Sequence, residues 1–201
     1  FNKVVVANRC EIARLIFLAG RELGVASVAI YSDADRDAAW VRAADESYHL
    51  PGVTAAETYL RQTAVLDIAQ SCGAEAIHPG YGFLSENADF VAACIDRGIT
   101  FIGPGPEAMR VMGSKAASRE LAQAAGVPVV PGVDGAGKSP AELAAAAEAI
   151  GYPVLIKASA GGGGKGMRVV WSAGELADAA QAAQSESHSS FGSDHILLEK
   201  Y

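Results

Sequence analysis

Along the first hundred residues, short apolar runs alternate with stretches of helical period. Lys3-Val4-Val5-Val6-Ala7 predicts a short buried strand. From Glu11 to Leu23, apolar residues at 12, 15, 16 and 23 predict a helix, and Gly24 supplies its stop. Val25 to Tyr31 predicts the next strand and Ser47 to Leu50 another. Thr54-Ala55-Ala56-Glu57 has the form of a capping box and predicts a helix to about Ser71. Ala76-Ile77 reads as a strand, Ser85 to Arg97 as a helix closed by Gly98, and Thr100 to Ile102 as a strand. This βαβα rhythm predicts an α/β domain over residues 1–112, built on a doubly wound parallel sheet.

The pattern then changes. Lys115 to Ala125 predicts a helix ended by Gly126, within a helical linker over 113–130. The turn-rich stretch Val127 to Ser139, with Pro128, Pro131, Gly132, Gly135 and Gly137, predicts a hinge. A small α+β subdomain is expected over 131–201. It has an Ala-rich helix from Pro140 to Ile150 and strands at Pro153–Lys157 and Met167–Trp171. Another capping box, Ser172-Ala173-Gly174-Glu175, opens a helix to about Ser187, and a final strand runs from His195 to Lys200.

Composition narrows the function classes. The 201 residues are half apolar, enough for a sizeable core. Sixteen basic residues against 23 acidic give a net charge of −7, which offers no global attraction for nucleic acid or an anionic membrane. No apolar run approaches the ~20 residues of a membrane helix. The amino terminus carries neither Met nor the apolar core of a signal peptide. Cys10, Cys72 and Cys94 are odd in number and unpaired in motif, which suits reduced thiols in a cytosol or a matrix. The expected location is a bacterial cytoplasm, or a mitochondrial matrix for a eukaryotic chain.

The strongest chemical signal is Gly161-Gly162-Gly163-Gly164-Lys165-Gly166-Met167. Glycines let backbone amides approach a phosphate closely. A strand on either side makes this a hairpin cover over a nucleotide, not a strand–loop–helix cradle. Lys157, at the end of the strand before it, reads as a point charge for a phosphate. A rival motif, Gly132-Val133-Asp134-Gly135-Ala136-Gly137-Lys138-Ser139, matches the P-loop pattern. Its preceding strand is short and proline-punctuated. Ser139-Pro140-Ala141-Glu142 reads as a helix cap, which leaves Lys138 outside the helix. A P-loop phosphohydrolase using Lys138 is therefore the weaker alternative. Ala7-Asn8-Arg9-Cys10-Glu11 and His78-Pro79-Gly80-Tyr81-Gly82-Phe83-Leu84-Ser85-Glu86-Asn87 both follow strands, where doubly wound folds carry ligand loops. Asp33, Asp35 and Asp37 read as a solvated turn. Neither a hydrolase triad nor a zinc set is visible.

Together these segments resemble the biotin carboxylase family over the whole chain. Ser32-Asp33-Ala34-Asp35-Arg36, Ala44-Asp45-Glu46, Phe101-Ile102-Gly103-Pro104, Met112-Gly113-Ser114-Lys115 and Gly126-Val127-Pro128 carry the resemblance too. So do Gly151-Tyr152-Pro153-Val154 through Lys157-Ala158, Gly161 to Val170 and Glu199-Lys200-Tyr201. The His78–Asn87 string is its most specific part. The resemblance implies an ATP-grasp ligase, with residues 131–201 as its lid. Such an enzyme uses MgATP to convert bicarbonate to carboxyphosphate and carboxylates biotin held on a carrier domain.

By position, the resemblance places Lys115 and Lys157 on ATP phosphates. Gly163, Gly164, Lys165 and Met167 fall in the lid, and Glu199, Lys200 and Tyr201 in a hinge receiving adenine through backbone groups. Tyr81, Gly82 and Phe83 lie near biotin. It implies ATP, Mg2+, biotin and bicarbonate as cofactors or substrates. The implied partners are a biotin carboxyl carrier domain, a carboxyltransferase and a second copy in a homodimer. The catalytic and metal-binding residues of the family lie beyond Tyr201, so the chain is expected to be a piece inactive alone. Another ATP-grasp carboxylate–amine ligase is the second alternative. Cys10 stands where the family usually has Gly. Leu15 and Leu18 stand where its first helix is commonly basic.

Overall fold

The structure, a computed structural model, describes residues 1–159 and 167–201. The chain divides into two compact units, Phe1–Arg110 and Val111–Tyr201.

In the first unit, β1 (Lys3–Val6), β2 (Ala26–Tyr31), β3 (Glu46–His49), β4 (Ala76–His78) and β5 (Thr100–Phe101) form a parallel sheet in the order β3-β2-β1-β4-β5. Val5 lies opposite Val28 on one side and Ile77 on the other. Helices α1 (Cys10–Glu22), α2 (Gln62–Ser71) and α3 (Ala88–Asp96) complete the α/β rhythm, and α4 (Pro106–Met112) lies at the boundary between the units. A parallel sheet buried on both faces needs apolar residues at successive strand positions. Val5, Val28, Ile30 and Ile77 pack with Tyr59, Leu66, Phe90 and Phe101. Val6 and Ala29 pack oppositely with Ala13, Phe17, Trp40 and Val41.

Two expected helix starts differ in the structure, and one helix is additional. Thr54 and Glu57 do bond reciprocally, with Thr54 N donating to Glu57 Oε2 at 2.9 Å and Glu57 N to Thr54 Oγ1 at 3.3 Å. They open only a turn, because the chain breaks off to bury Thr58 and Tyr59, and α2 starts at Gln62. The helix expected from Ser85 begins at Ala88, where Asn87 accepts from Phe90 N at 2.8 Å. Helix α4 was not anticipated; a proline at its first position and the buried Met109 anchor it.

In the second unit, β6 (Gly132–Asp134), β7 (Val154–Ala158), β8 (Arg168–Val170) and β9 (Ile196–Lys200) form an antiparallel sheet ordered β6-β9-β7-β8. Helices α6 (Pro140–Ile150) and α7 (Ala173–Phe191) supply Leu143, Ala147, Leu176, Ala180 and Ala183 to a core with Val154, Ile156, Val170, Ile196 and Leu198. Helix α5 (Lys115–Ala124) opens this unit, its first turn capped by Ser114.

Strand β6 falls inside the stretch expected to be turn-rich. Pro131 stops just before it, so an edge strand fits there. A Cβ at Gly132 would come within 2.5 Å of the Leu198 carbonyl oxygen, so only glycine allows β6 to lie so close to β9. Ser139 and Glu142 form the complete capping box. Ser172 does not cap α7; only Glu175 reaches back, accepting from Trp171 N at 3.1 Å.

Candidate functional site

The strand order of the first unit reverses at β1. The chain leaves β1 for β2 on one side and returns as β4 on the other, so the loops after β1 and β4 part at the carboxyl edge. Such a switch point is where open α/β sheets form a crevice. A cavity of about 260 Å³ lies there, lined by Asn8, Arg9, Glu11, Tyr81, Gly82 and Phe83 among others.

Asn8 holds the two loops together. It is buried and donates through Nδ2 to the carbonyls of Pro79 and Tyr81, both at 2.7 Å. Gly80 has φ +64°, and a Cβ there would meet Asn8 Nδ2 at 2.8 Å. His78 accepts from Gly80 N at 3.0 Å through Nδ1, and burial holds its pKa below the usual 6.5. It shapes the loop as a neutral ring.

Tyr81 is 60 % exposed and donates its hydroxyl to Glu11 across the crevice. That bond lowers the Glu11 pKa and raises that of Tyr81. Cys10 has φ +58° and Phe83 φ +42°, both left-handed and both non-glycine. The departure from glycine at position 10 thus falls on a backbone conformation that glycine adopts at no steric cost.

Of the three aspartates read as a solvated turn, Asp33 and Asp35 are engaged, while Asp37 is exposed. Asp33 accepts from Gly52 N at 3.0 Å and pairs with His49 at 2.6 Å, which lowers its pKa. Asp35 accepts from the Tyr59 hydroxyl at 2.6 Å and from the Ser32 hydroxyl at 2.8 Å.

The second unit presents a charged sheet face. In a strand, alternate side chains share a face. Val154, Ile156 and Ala158 of β7 point into the core, leaving Leu155 and Lys157 on the other side. Register pairs Leu155 with Glu199 and Lys157 with Leu197, so Lys157 and Glu199 share that face and form an ion pair. Arg119 of α5 approaches the same carboxylate at 3.6 Å. The Arg119 and Glu199 side chains are only 11 % and 14 % exposed, so two cations share one largely desolvated carboxylate. One helical turn before Arg119, Lys115 donates to the Ser159 carbonyl at 3.4 Å. Lys157 and Arg119 thus meet at Glu199, and Lys115 lies at Ser159, just ahead of the glycine-rich segment in the chain. Sequence reading missed Arg119, although its i+4 spacing from Lys115 placed both on one helix face.

The remaining expected residues divide. The Lys200 ammonium donates to the carbonyls of Gly151 and Tyr152 at 2.7 and 3.0 Å, so it braces its own strand end. The amides of Lys200 and Tyr201 donate to Pro131 and Pro153. The exposed Tyr201 ring meets Trp171 edge-on. Met167 is exposed immediately before β8. Gly163, Gly164 and Lys165 lie outside the described residues. The P-loop alternative lacks its context: β6 begins at the motif's first glycine instead of before it, and Ser139 is engaged in its cap. Among the described residues no group of three or more His, Cys, Asp or Glu side chains could hold a metal ion. No helix among them is long and apolar enough to cross a membrane.

The family profile described as biotin carboxylase, N-terminal domain, matches residues 1–109. The profile described as carbamoyl-phosphate synthase L chain, ATP binding domain, matches 114–201. The alpha subunit of mitochondrial methylcrotonoyl-CoA carboxylase from Oryza sativa is 53% identical over 200 residues, covering 100% of this chain and 27% of the relative. The biotin carboxylase domain dimer of Hydrogenobacter thermophilus 2-oxoglutarate carboxylase was solved with MgADP, ADP and bicarbonate. It aligns with a TM-score of 0.92 at 49% identity, over 100% of this chain and 44% of its own. Biotin carboxylase from Campylobacter jejuni, in a β,γ-ATP complex, aligns with a TM-score of 0.94 at 43% identity, over 100% of this chain and 45% of its own. The chain therefore spans between a quarter and a half of these relatives.

Proposed function

Because the chain belongs to the biotin carboxylase family, we propose that it forms the amino-terminal α/β domain and the ATP-grasp lid of an enzyme that carboxylates biotin. The division would follow the sequence reading, with residues 1–112 as the domain, 113–130 as a linker and 131–201 as the lid. Bicarbonate is a poor electrophile; phosphorylation by ATP gives it a leaving group, and the carbon then passes to the ureido nitrogen of biotin. Such a reaction needs positioning and charge stabilisation more than covalent chemistry from the protein.

The observation that carries this reading is the shared face of β7 and β9. It presents Lys157, just ahead of the glycine-rich segment in the chain, and Lys115 of α5 bonds to the end of the same strand segment at Ser159. Both ammonium groups would meet ATP phosphates as point charges. Glu199, held from behind by Arg119, would keep Lys157 in place until phosphate replaces the carboxylate as its partner. Gly163, Gly164, Lys165 and Met167 would cover the nucleotide. Because the Lys200 and Tyr201 amides already have partners, the Glu199–Tyr201 segment would meet adenine chiefly through carbonyl oxygens. By the resemblance, magnesium would be held by carboxylates in the remainder of such an enzyme.

In the first unit, Tyr81, Gly82 and Phe83 would face biotin presented by a carrier domain, with a carboxyltransferase as the next partner. The similar proteins are named for different acceptors, methylcrotonoyl-CoA and 2-oxoglutarate. That variety supports acceptor choice being made outside these 201 residues. A homodimer, as in the Hydrogenobacter domain, would use an apolar α1 face, since Leu15 and Leu18 are exposed.

The test is ADP release, with bicarbonate present, by the protein extended to the length of its relatives. Free biotin is expected to stimulate it strongly, and Lys157→Ala to abolish the stimulated rate. Release indifferent to biotin would assign the fold to a different carboxylate substrate.

A further inference from the structure

Four segments distant in sequence meet at one side of the crevice. The Arg9 guanidinium lies 5.6 Å from the Tyr59 ring centroid and 5.5 Å from that of Phe83. The two rings are themselves stacked, 5.1 Å apart at 16°. Asp35 lies 3.8 Å from Arg9 and accepts the Tyr59 hydroxyl. Tyr59 in turn accepts from Ser32 N at 3.1 Å. The loops after β1 and β2, the segment before α2 and the loop after β4 are thereby tied into one knot.

The knot has a feature that core packing alone would not require. Phe83 sits at φ +42°, a conformation costly for a bulky L-residue unless its surroundings enforce it. What faces its ring are Arg9 and Tyr59. Asp35, only 16 % exposed, anchors both. Asn8 and Glu11 hold Tyr81 at one end of the turn, and Gly82, at φ +68°, joins it to Phe83 at the other. Fixing Phe83 therefore completes the side of the crevice that Tyr81 and Gly82 form.

We propose that Arg9, anchored by Asp35, is a positioning residue that sets the Tyr81–Phe83 turn and with it the shape of the crevice. That the crevice receives biotin rests on the function proposed above; that Arg9 shapes it does not.

Two experiments separate these points. In the 201-residue chain, Cys10 is the exposed thiol of the crevice, whereas Cys72 and Cys94 are buried. Its labelling rate by a neutral thiol reagent reports the shape of the lips. Arg9→Met and Asp35→Asn are each expected to change that rate about tenfold, the scale on which a lost cation–π clamp releases a loop. Arg9→Lys, which keeps the cation, is expected to recover most of the wild-type rate. Arg36→Met, on an exposed neighbouring side chain, is expected to leave the rate unchanged. Unchanged labelling in Arg9→Met would overturn the proposal. So would a change matched by Arg36→Met, or one accompanied by loss of the folded circular dichroism signal in Arg9→Lys.

In the protein extended to the length of its relatives, Arg9→Met is expected to raise KM for free biotin about tenfold while KM for ATP stays within about twofold. Equal rises in both would make Arg9 merely structural and overturn the proposal. If the wild type shows no biotin-dependent turnover while the labelling result holds, the positioning role stands and the choice of biotin falls.

Discussion

Asn8, Arg9 and Tyr81 of the first unit ride on loops, whereas Lys157 and Glu199 of the second ride inside strands β7 and β9. In the first unit geometry comes from bonds between segments: Asn8 reaches more than seventy residues along the chain to the Pro79 and Tyr81 carbonyls. In the second it comes from the two-residue period of a strand and the register of its neighbour. The loop site is defined by shape, with Arg9 paired to Asp35 and Glu11 accepting from Tyr81. The strand site is charged and held by mutual pairing. Shape for a ring on one unit and charge for phosphates on the other is the division of labour that the proposed carboxylation of biotin would use.

The comparison breaks most decisively if the units do not keep separate cores. Phe90 is fully buried and meets Phe101 edge-on at 6.1 Å. Phe90→Ala is expected to destabilise the first unit by about 3–5 kcal/mol. Hydrogen exchange should then rise in β1 and β4 and stay near wild type in β7 and β9. Equal loss of protection in both sheets would contradict the picture of two cores.

A smaller effect sharpens the role of loop bonding. Asn8→Ala leaves the Pro79 and Tyr81 carbonyls without their donor and is expected to cost about 2 kcal/mol. Urea midpoints followed by a probe in the first unit would show it, and a loss under about 0.5 kcal/mol would mean the loops hold themselves.

The smallest effect is a pH dependence. Burial holds the His78 pKa below 6.5 in the folded state. The unfolded chain therefore binds its proton first as pH falls. Stability from this group is complete above the unfolded value and declines as pH drops from about 6.5 to the lower folded value. His78→Asn keeps an acceptor for Gly80 N and should flatten the change in urea midpoint between pH 7.5 and 5.5. An unchanged slope would show that other groups govern it.

Much of this was legible in the sequence, for physical reasons. Strands β1, β2 and β7 are uninterrupted or alternating apolar runs, and Lys157 could be located because alternation fixes its face. Ser139 and Glu142 announced their cap within four residues. What escaped were features set by distant partners. Thr54 and Glu57 carry a correct local signal, yet the burial of Tyr59 ends the turn they start. Strand β6 exists because Gly132 permits close approach to β9, which no local pattern records. Asp35 looked solvated because Tyr59, its main partner, lies 24 residues away. Arg119 was missed although its spacing from Lys115 was on view, since Glu199, eighty residues on, gives that face its meaning.

The central claim is that the β7–β9 face, and not the P-loop-like segment, receives the nucleotide. Calorimetric titration of MgATP into the protein at the length of its relatives tests it most directly, comparing Lys157→Ala with Lys138→Ala. Lys157→Ala is expected to weaken binding about a hundredfold, the scale of removing a charge-assisted phosphate contact, and Lys138→Ala to leave it within about twofold. Loss of binding in Lys138→Ala with Lys157→Ala unaffected would contradict it.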